Sequence, residues 1–125
     1  MLVNFVAPAF MEMLFTPVLA ALAERGHEGR RFLDHRSFLA DAGARRDMAV
    51  LAAIPNLKVD GAMMDAAPQL RGIVSPVTGT EAFDEAAASA RGILVANGQI
   101  EENYKSMAEA TAMLIVASLY DLKGT

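Results

Sequence analysis

The sequence predicts an α/β chain: an open, parallel sheet of five strands with helices on both faces, followed by one long helix near the C-terminal end. Three observations predict it. Short apolar runs recur along the chain, and helical stretches separate them, the alternation from which parallel sheets are built. Pro and Gly stand at most of the boundaries between these segments, where neither strand nor helix continues easily. At 125 residues, the chain suits one domain that buries about two-thirds of the surface its unfolded form exposes, enough for a core without cross-links.

The elements follow in order. Leu2 to Ala7 is an apolar run ended by Pro8, the pattern of a buried parallel strand. Thr16 to Arg25 reads as a helix with Thr16 as N-cap, Pro17 as first helical residue and Gly26 as its stop. Arg30 to Leu33 is the expected second strand, Phe38 to Ala44 a short helix, and Met48 to Ala53 a third strand halted by Pro55. Gly61 to Ala67 is one short helix stopped by Pro68, and Leu70 to Val74 the fourth strand. Asp84 to Ala90 is a helix with an acidic start, where Asp84 serves as cap and Gly92 ends it, and Ile93 to Ala96 is the fifth strand. The resulting layout is flavodoxin-like.

The last element differs in kind. Ser106 and Glu109 form an S-x-x-E capping signature, and Met107 to Leu122 contains neither Gly nor Pro. That stretch is expected to be a helix of about four turns. Met107, Ala110, Met113, Leu114, Ile115, Val116, Ala117 and Leu119 place apolar groups around most of its circumference, so burial is required on more than one side. A small sheet covers one side only, and the surplus face calls for a second domain or a second subunit.

Composition excludes several classes. No Cys is present, which removes disulfide scaffolds, thiol nucleophiles and cysteine metal sites, and is compatible with a cytoplasmic home. The net charge is -4, and the doublets Arg30-Arg31 and Arg45-Arg46 are isolated, so nucleic acid is a poor partner. No Lys or Arg precedes Arg25, and Glu12, Pro8 and Pro17 interrupt the apolar start, which disfavours both a secretory leader and a membrane span. His27 and His35 lack a Ser, Cys or carboxylate partner at a telling spacing, are expected to be exposed, and do not point to a metal. A receiver-like signalling domain shares the layout, but Ala7-Pro8-Ala9 stands where its acidic cluster belongs.

The turn Ser75-Pro76-Val77-Thr78-Gly79-Thr80-Glu81 follows the fourth strand at its carboxyl end, where open parallel sheets place their ligand crevice. Gly79 permits backbone conformations other residues resist, and exposed N–H groups in such a turn hold small anions. From composition alone a plain strand-to-helix turn carries more weight. Thr78 and Thr80 add hydroxyl donors to a site or satisfy the local backbone, with nothing to choose between them. Asn97 ends the fifth strand, where a turn-forming Asn is the ordinary reading.

Four short motifs then occur in order: Ala67, Leu70, Arg71 and Ile73; Gly79, Glu81 and Asp84; Ala87, Gly92, Ile93, Val95 and Asn97; and Ser106, Met107, Ala108, Glu109 and Thr111. In order and separation this string resembles the end of the catalytic domain of the D-isomer-specific 2-hydroxyacid dehydrogenases, covering about half the chain strongly. The resemblance implies that the turn backbone faces a substrate carboxylate, with Val77, Thr78 and Gly79 lining the cleft and Ala53 and Ile54 of the loop after the third strand beside them. It places Asn97, with Ser106 and Glu109, at the hinge between domains. Val77 where a first Gly is usual and Glu81 where Asp is usual are departures that bear on substrate identity.

The resemblance further implies residues 1–98 as a substrate domain and 99–125 as a connecting segment and an interdomain or dimerisation helix. The family binds NAD or NADP in a second domain, which also supplies the catalytic Arg, Glu and His. The glycines here never fall in the G-x-G-x-x-G spacing, so no catalytic or cofactor-binding residue is expected in this segment, which alone would be inactive. The expected partners are a small 2-keto or 2-hydroxy acid, the dinucleotide-binding domain and a second copy in a homodimer. Two other readings remain: a stand-alone module that binds a small carboxylate or a protein, and an unrelated flavodoxin-like domain binding flavin.

Overall fold

A computed structural model describes residues 1–120. Its single sheet contains β1 (Leu2–Val6), β2 (Glu28–Phe32), β3 (Met48–Ala53), β4 (Gly72–Ser75) and β5 (Leu94–Asn97). Their spatial order is β2-β1-β3-β4-β5, and every pairing is parallel. The chain steps outward from β1 to β2 and then returns past β1 to β3, so the order reverses at the β1–β3 seam. In open α/β sheets the crevice outside the strand ends at such a reversal is the usual ligand position.

β1 and β3 lie at the centre of the sheet, and this explains their apolar runs: all of β1 and all of β3 except the half-buried Val50 is buried. Alternate residues then serve two cores. Val3, Phe5 and Ala7 pack with Met11, Phe15 and Ala52 on one face, with the Phe5 and Phe15 rings 5.2 Å apart. On the other face Val6, Leu51, Ala53 and Ile73 pack with Phe38, Met64 and Ala88. The first face is covered by α1 (Glu12–Glu24) and the second by α2 (His35–Ala40), α3 (Ala42–Asp47), α4 (Gly61–Asp65) and α5 (Glu85–Ala90). Coverage of the first face ends before β5, whose Leu94 is 70% exposed.

Most boundaries have a visible chemical cause. Asp34, Asp41, Asp60 and Asp84 cap α2 to α5, each side chain accepting a backbone N–H three residues on. Gly26 and Gly92 take positive φ values of 72° and 67°, ending α1 and α5 in the left-handed conformation that glycine adopts without a Cβ penalty.

Several expectations are corrected. α1 begins at Glu12, so Thr16 is no N-cap: its hydroxyl donates to the Glu12 carbonyl at 3.0 Å, and Pro17 sits inside the helix. Met11 and Phe15, four residues apart and both buried, draw this earlier stretch onto the sheet. The region expected as one helix over Phe38 to Ala44 is two, divided at Asp41, whose extended ψ of 89° breaks the run while its carboxylate caps α3. His27 and His35 are both half-buried rather than exposed.

The largest correction concerns α6 (Glu101–Leu119), which starts five residues before Ser106 with Ile100 at its N-cap position and no side-chain cap bond. Glu101 and Glu102 supply negative charge to its first turn, and Glu101 pairs with Lys105 at 2.5 Å. The S-x-x-E pattern therefore lies within a helix already started. No residue of α6 is buried. The end expected for this helix, Asp121 and Leu122, lies outside the described residues.

Candidate functional site

The carboxyl ends of the strands form one rim. At β4 the chain leaves the sheet through Ser75, wholly buried, whose hydroxyl donates to the Val77 carbonyl at 3.1 Å and accepts the Val77 N–H at 3.4 Å. The turn from Pro76 to Ala82 follows. Its far end is fixed by the buried Val59, whose N–H donates to the Ala82 carbonyl and whose carbonyl accepts the Asp84 N–H, both at 2.9 Å. Its near end is held from β5: Gly98 N–H donates to the Val77 carbonyl at 3.0 Å, and Asn97 Nδ2 donates to the Thr78 carbonyl at 2.8 Å.

The result is asymmetric. The carbonyls of Val77, Thr78 and Thr80 all accept hydrogen bonds, the last from Phe83 N–H at 2.8 Å. Among the described residues, the N–H groups of Thr78, Gly79 and Thr80 donate to nothing. Consecutive free amides are what a small-anion cradle needs; here the Gly79 carbonyl among them accepts no bond among the described residues, and Gly79 does not take the positive φ of Gly26 and Gly92. The turn has no positive charge of its own, and a Cβ on Gly79 would fall against the Glu81 carboxylate. An anion held here therefore needs a cation from outside the turn.

The Thr80 hydroxyl donates to Glu85 Oε1 at 2.6 Å and so serves the local structure. Thr78 lines a hollow of about 180 Å³ with Gln99, Asn103, Tyr104 and Met107 of the crossing and α6. Val77 and Thr78 are exposed and Gly79 half-buried. Ala53 and Ile54 divide: the Ala53 side chain is buried in the larger core, and only Ile54 reaches the rim. Ile54 lines a larger cavity of about 410 Å³ over the ends of β1, β2 and β3, with Ala7, Pro8, Leu33, His35, Arg36 and Asn56 among its walls. Of the three residues expected at a hinge, Asn97 ends β5 and bonds to the turn, and Ser106 and Glu109 are exposed residues of α6.

Sequence reading missed Arg31. Its guanidinium lies 4.9 Å over the Phe15 ring, bonds to Glu12 Oε2 at 3.1 Å and donates to the Pro8 carbonyl at 3.1 Å, fixing the loop that walls the larger cavity. No local signal marks it, because its partners lie 19 and 23 residues away. Among the described residues no group of three or more His, Cys, Asp or Glu is placed to hold a metal ion. No helix among them is long and apolar enough to cross a membrane.

A five-stranded parallel sheet with helices on both faces and a long exposed helix after it defines an α/β fold. Residues 16–117 match the family model of the D-isomer specific 2-hydroxyacid dehydrogenase catalytic domain, and the chain belongs to that family. Among solved structures it is similar to the NAD-dependent formate dehydrogenase from Staphylococcus aureus in complex with NAD, at a TM-score of 0.79 and 23% identity over 94% of this chain. A putative D-3-phosphoglycerate dehydrogenase from Ralstonia solanacearum gives 0.58 and 19% over 98%, and a 2-hydroxyacid dehydrogenase from Ketogulonicigenium vulgare Y25 gives 0.51 and 22% over 75%. At these identities the likeness establishes the fold. The chain spans 38%, 36% and 28% of those three proteins respectively. No curated protein matches it.

The family implies a nicotinamide dinucleotide, and the residues here do not fit one. The first strand-to-helix turn contains Pro8 and no Gly, and the start of α1 carries Glu12, whose carboxylate already pairs with Arg31 where a pyrophosphate would need positive surroundings.

Proposed function

We propose that this chain is the substrate-binding part of an NAD(P)-dependent oxidoreductase that interconverts a 2-keto acid and a D-2-hydroxy acid. Residues 1–98 form its substrate domain, and residues 99–125 are the connection toward a dinucleotide-binding domain and the helix used between domains or in a homodimer. A cytoplasmic enzyme is the setting that fits this chemistry.

The observation that carries the reading is the free row of N–H groups at Thr78, Gly79 and Thr80, beside the bonded carbonyls of Val77, Thr78 and Thr80. A carboxylate accepts hydrogen bonds and donates none, so such a row binds it while rejecting groups that need an acceptor. Val77, exposed beside Thr78, is the apolar residue next to this row, and Ile54 lines the neighbouring larger cavity. The acidic Glu81 beside Gly79 makes the binding depend on a cation from elsewhere, which the family pattern assigns to an Arg of the second domain. These residues hold and orient the acid; they neither move a proton nor take part in redox chemistry.

Replacing Gly79 by Val tests the reading. The obstacle to a side chain at Gly79 is the far end of the flexible Glu81, so the fold should tolerate the change while the branched side chain covers the amides. In the full-length enzyme, keto-acid reduction should fall by at least about a hundredfold in kcat/KM with NADH affinity retained. Equal loss of NADH affinity, or normal turnover, would show that the turn does not hold the substrate.

A second reading, a non-catalytic module that binds a carboxylate or a protein, has one observation in its favour: no residue of α6 is buried. It predicts carboxylate binding without keto-acid reduction by the full-length protein.

A further inference from the structure

The segment leaving β5 holds the turn more closely than a mere crossing requires. Strand register sets Asn97 beside Ser75, and two donors reach across from there: Gly98 N–H to the Val77 carbonyl at 3.0 Å and Asn97 Nδ2 to the Thr78 carbonyl at 2.8 Å. Asn97 Oδ1 accepts the Gln99 N–H at 3.3 Å, which orients the amide so that Nδ2 faces the turn. With the Ser75 hydroxyl also donating to it, the Val77 carbonyl has two donors and is fixed in direction.

Gly98 is constrained by contact rather than by its own dihedrals. Its φ is not in the left-handed region, where only Gly26 and Gly92 lie. A Cβ on Gly98 would stand 2.7 Å from the Pro76 carbonyl oxygen and 3.0 Å from its carbon. That obstacle is backbone, so any side chain here forces the turn itself to move. This is the close backbone approach for which glycine is required.

We propose that Gly98 and Asn97 are positioning residues of the substrate turn: by pinning the carbonyls of Val77 and Thr78 they keep the amides of Thr78, Gly79 and Thr80 free for the acid. The inference rests on the reading above, in which those amides hold the substrate carboxylate. It gives the crossing a second task, because the segment that leads into α6 also shapes the site.

The test uses the full-length enzyme with Gly98→Ala and, as a milder change that removes one bond without a clash, Asn97→Ala. Gly98→Ala should raise KM for a 2-keto acid about tenfold, with kcat changed less than about threefold and NADH affinity unchanged; Asn97→Ala should move KM the same way by less. Amide hydrogen exchange at position 98, whose N–H donates to the Val77 carbonyl, read without substrate, should quicken in both. A KM unchanged in both variants overturns the proposal. If Gly98→Ala does not fold, Asn97→Ala decides alone. If the unaltered enzyme reduces no 2-keto acid, the functional reading fails separately; unchanged exchange at position 98 then overturns the clamp, and quickened exchange upholds it.

Discussion

β3 and α6 are both built largely from apolar residues, yet they meet opposite surroundings. β3 lies between β1 and β4 with Met48, Leu51 and Ala53 at 0% exposure. α6 carries Met107, Met113, Leu114, Ile115 and Leu119 and buries none of them. Apolar content therefore does not by itself place a segment inside a domain. What separates the two is coverage: β3 has a neighbour on each edge and a core cluster on each face, whereas no residue of α6 is buried. The strand completes a core, and the helix leaves its large apolar side chains exposed.

The widest break in this comparison would come from paired truncations. Leu51→Ala removes a wholly buried side chain from the larger core and should cost about 2–5 kcal/mol, seen as a lower urea midpoint at unchanged slope. Leu114→Asp, at a residue 68% exposed, should leave the stability of residues 1–98 within about 0.5 kcal/mol of the original. In the full-length protein the same Leu114→Asp change should loosen domain docking or dimer formation, because it would bury a charge. Sedimentation unchanged by Leu114→Asp in that protein would mean the exposed face has no partner.

The same contrast explains what the sequence made legible. β1 and β3 were readable because strands buried on both faces leave unbroken apolar runs, and β3 matches its predicted bounds at Met48 and Ala53. β2 is an edge strand with the mixed sequence EGRRF, and its predicted start at Arg30 fell two residues late because no face of it is purely apolar. Thr16-Pro17 looked like a helix start because the local rule knows nothing of Met11 and Phe15 gripping the sheet one turn earlier. Ser106 misled for a similar reason: a capping pattern is decisive only where the preceding residues cannot continue a helix, and Glu101 to Lys105 can. At the site, the turn and its Gly79 were visible from position along the chain. Its grip by Asn97 and Gly98 was not, because that contact joins residues 19 apart through strand register.

Caps sharpen the comparison at a smaller scale. α5 owes its start to Asp84, which accepts the Ala87 N–H at 2.8 Å, while α6 has no side-chain cap at all. Asp84→Ala should cost about 1 kcal/mol by thermal or urea unfolding. Because Asp84 also follows the turn proposed to hold the substrate, a loss of substrate affinity beyond that stability change would show that the start of α5 helps hold the turn.

Acid titration supplies the smallest effect, and it separates the capped body from the uncapped helix. The carboxyls of Asp34 and Asp60 both lie below their ordinary value of 3.8, chiefly through the backbone N–H bonds they accept from Ser37 and Met63. A carboxyl depressed in the folded state binds its proton more readily when unfolded. Its contribution is therefore present in full above the ordinary value and is lost as pH falls through the lower folded one. Helices α2 and α4 should lose cap stabilisation over that acidic interval, while α6, lacking such a cap, should not respond through this route. Asparagine caps helices about as well as aspartate but does not titrate. The double variant Asp34→Asn with Asp60→Asn should therefore keep the melting temperature near neutrality and show a shallower fall on acidification. An identical acid slope in both proteins would mean that the ionisation of these two carboxylates adds nothing to what an uncharged cap supplies.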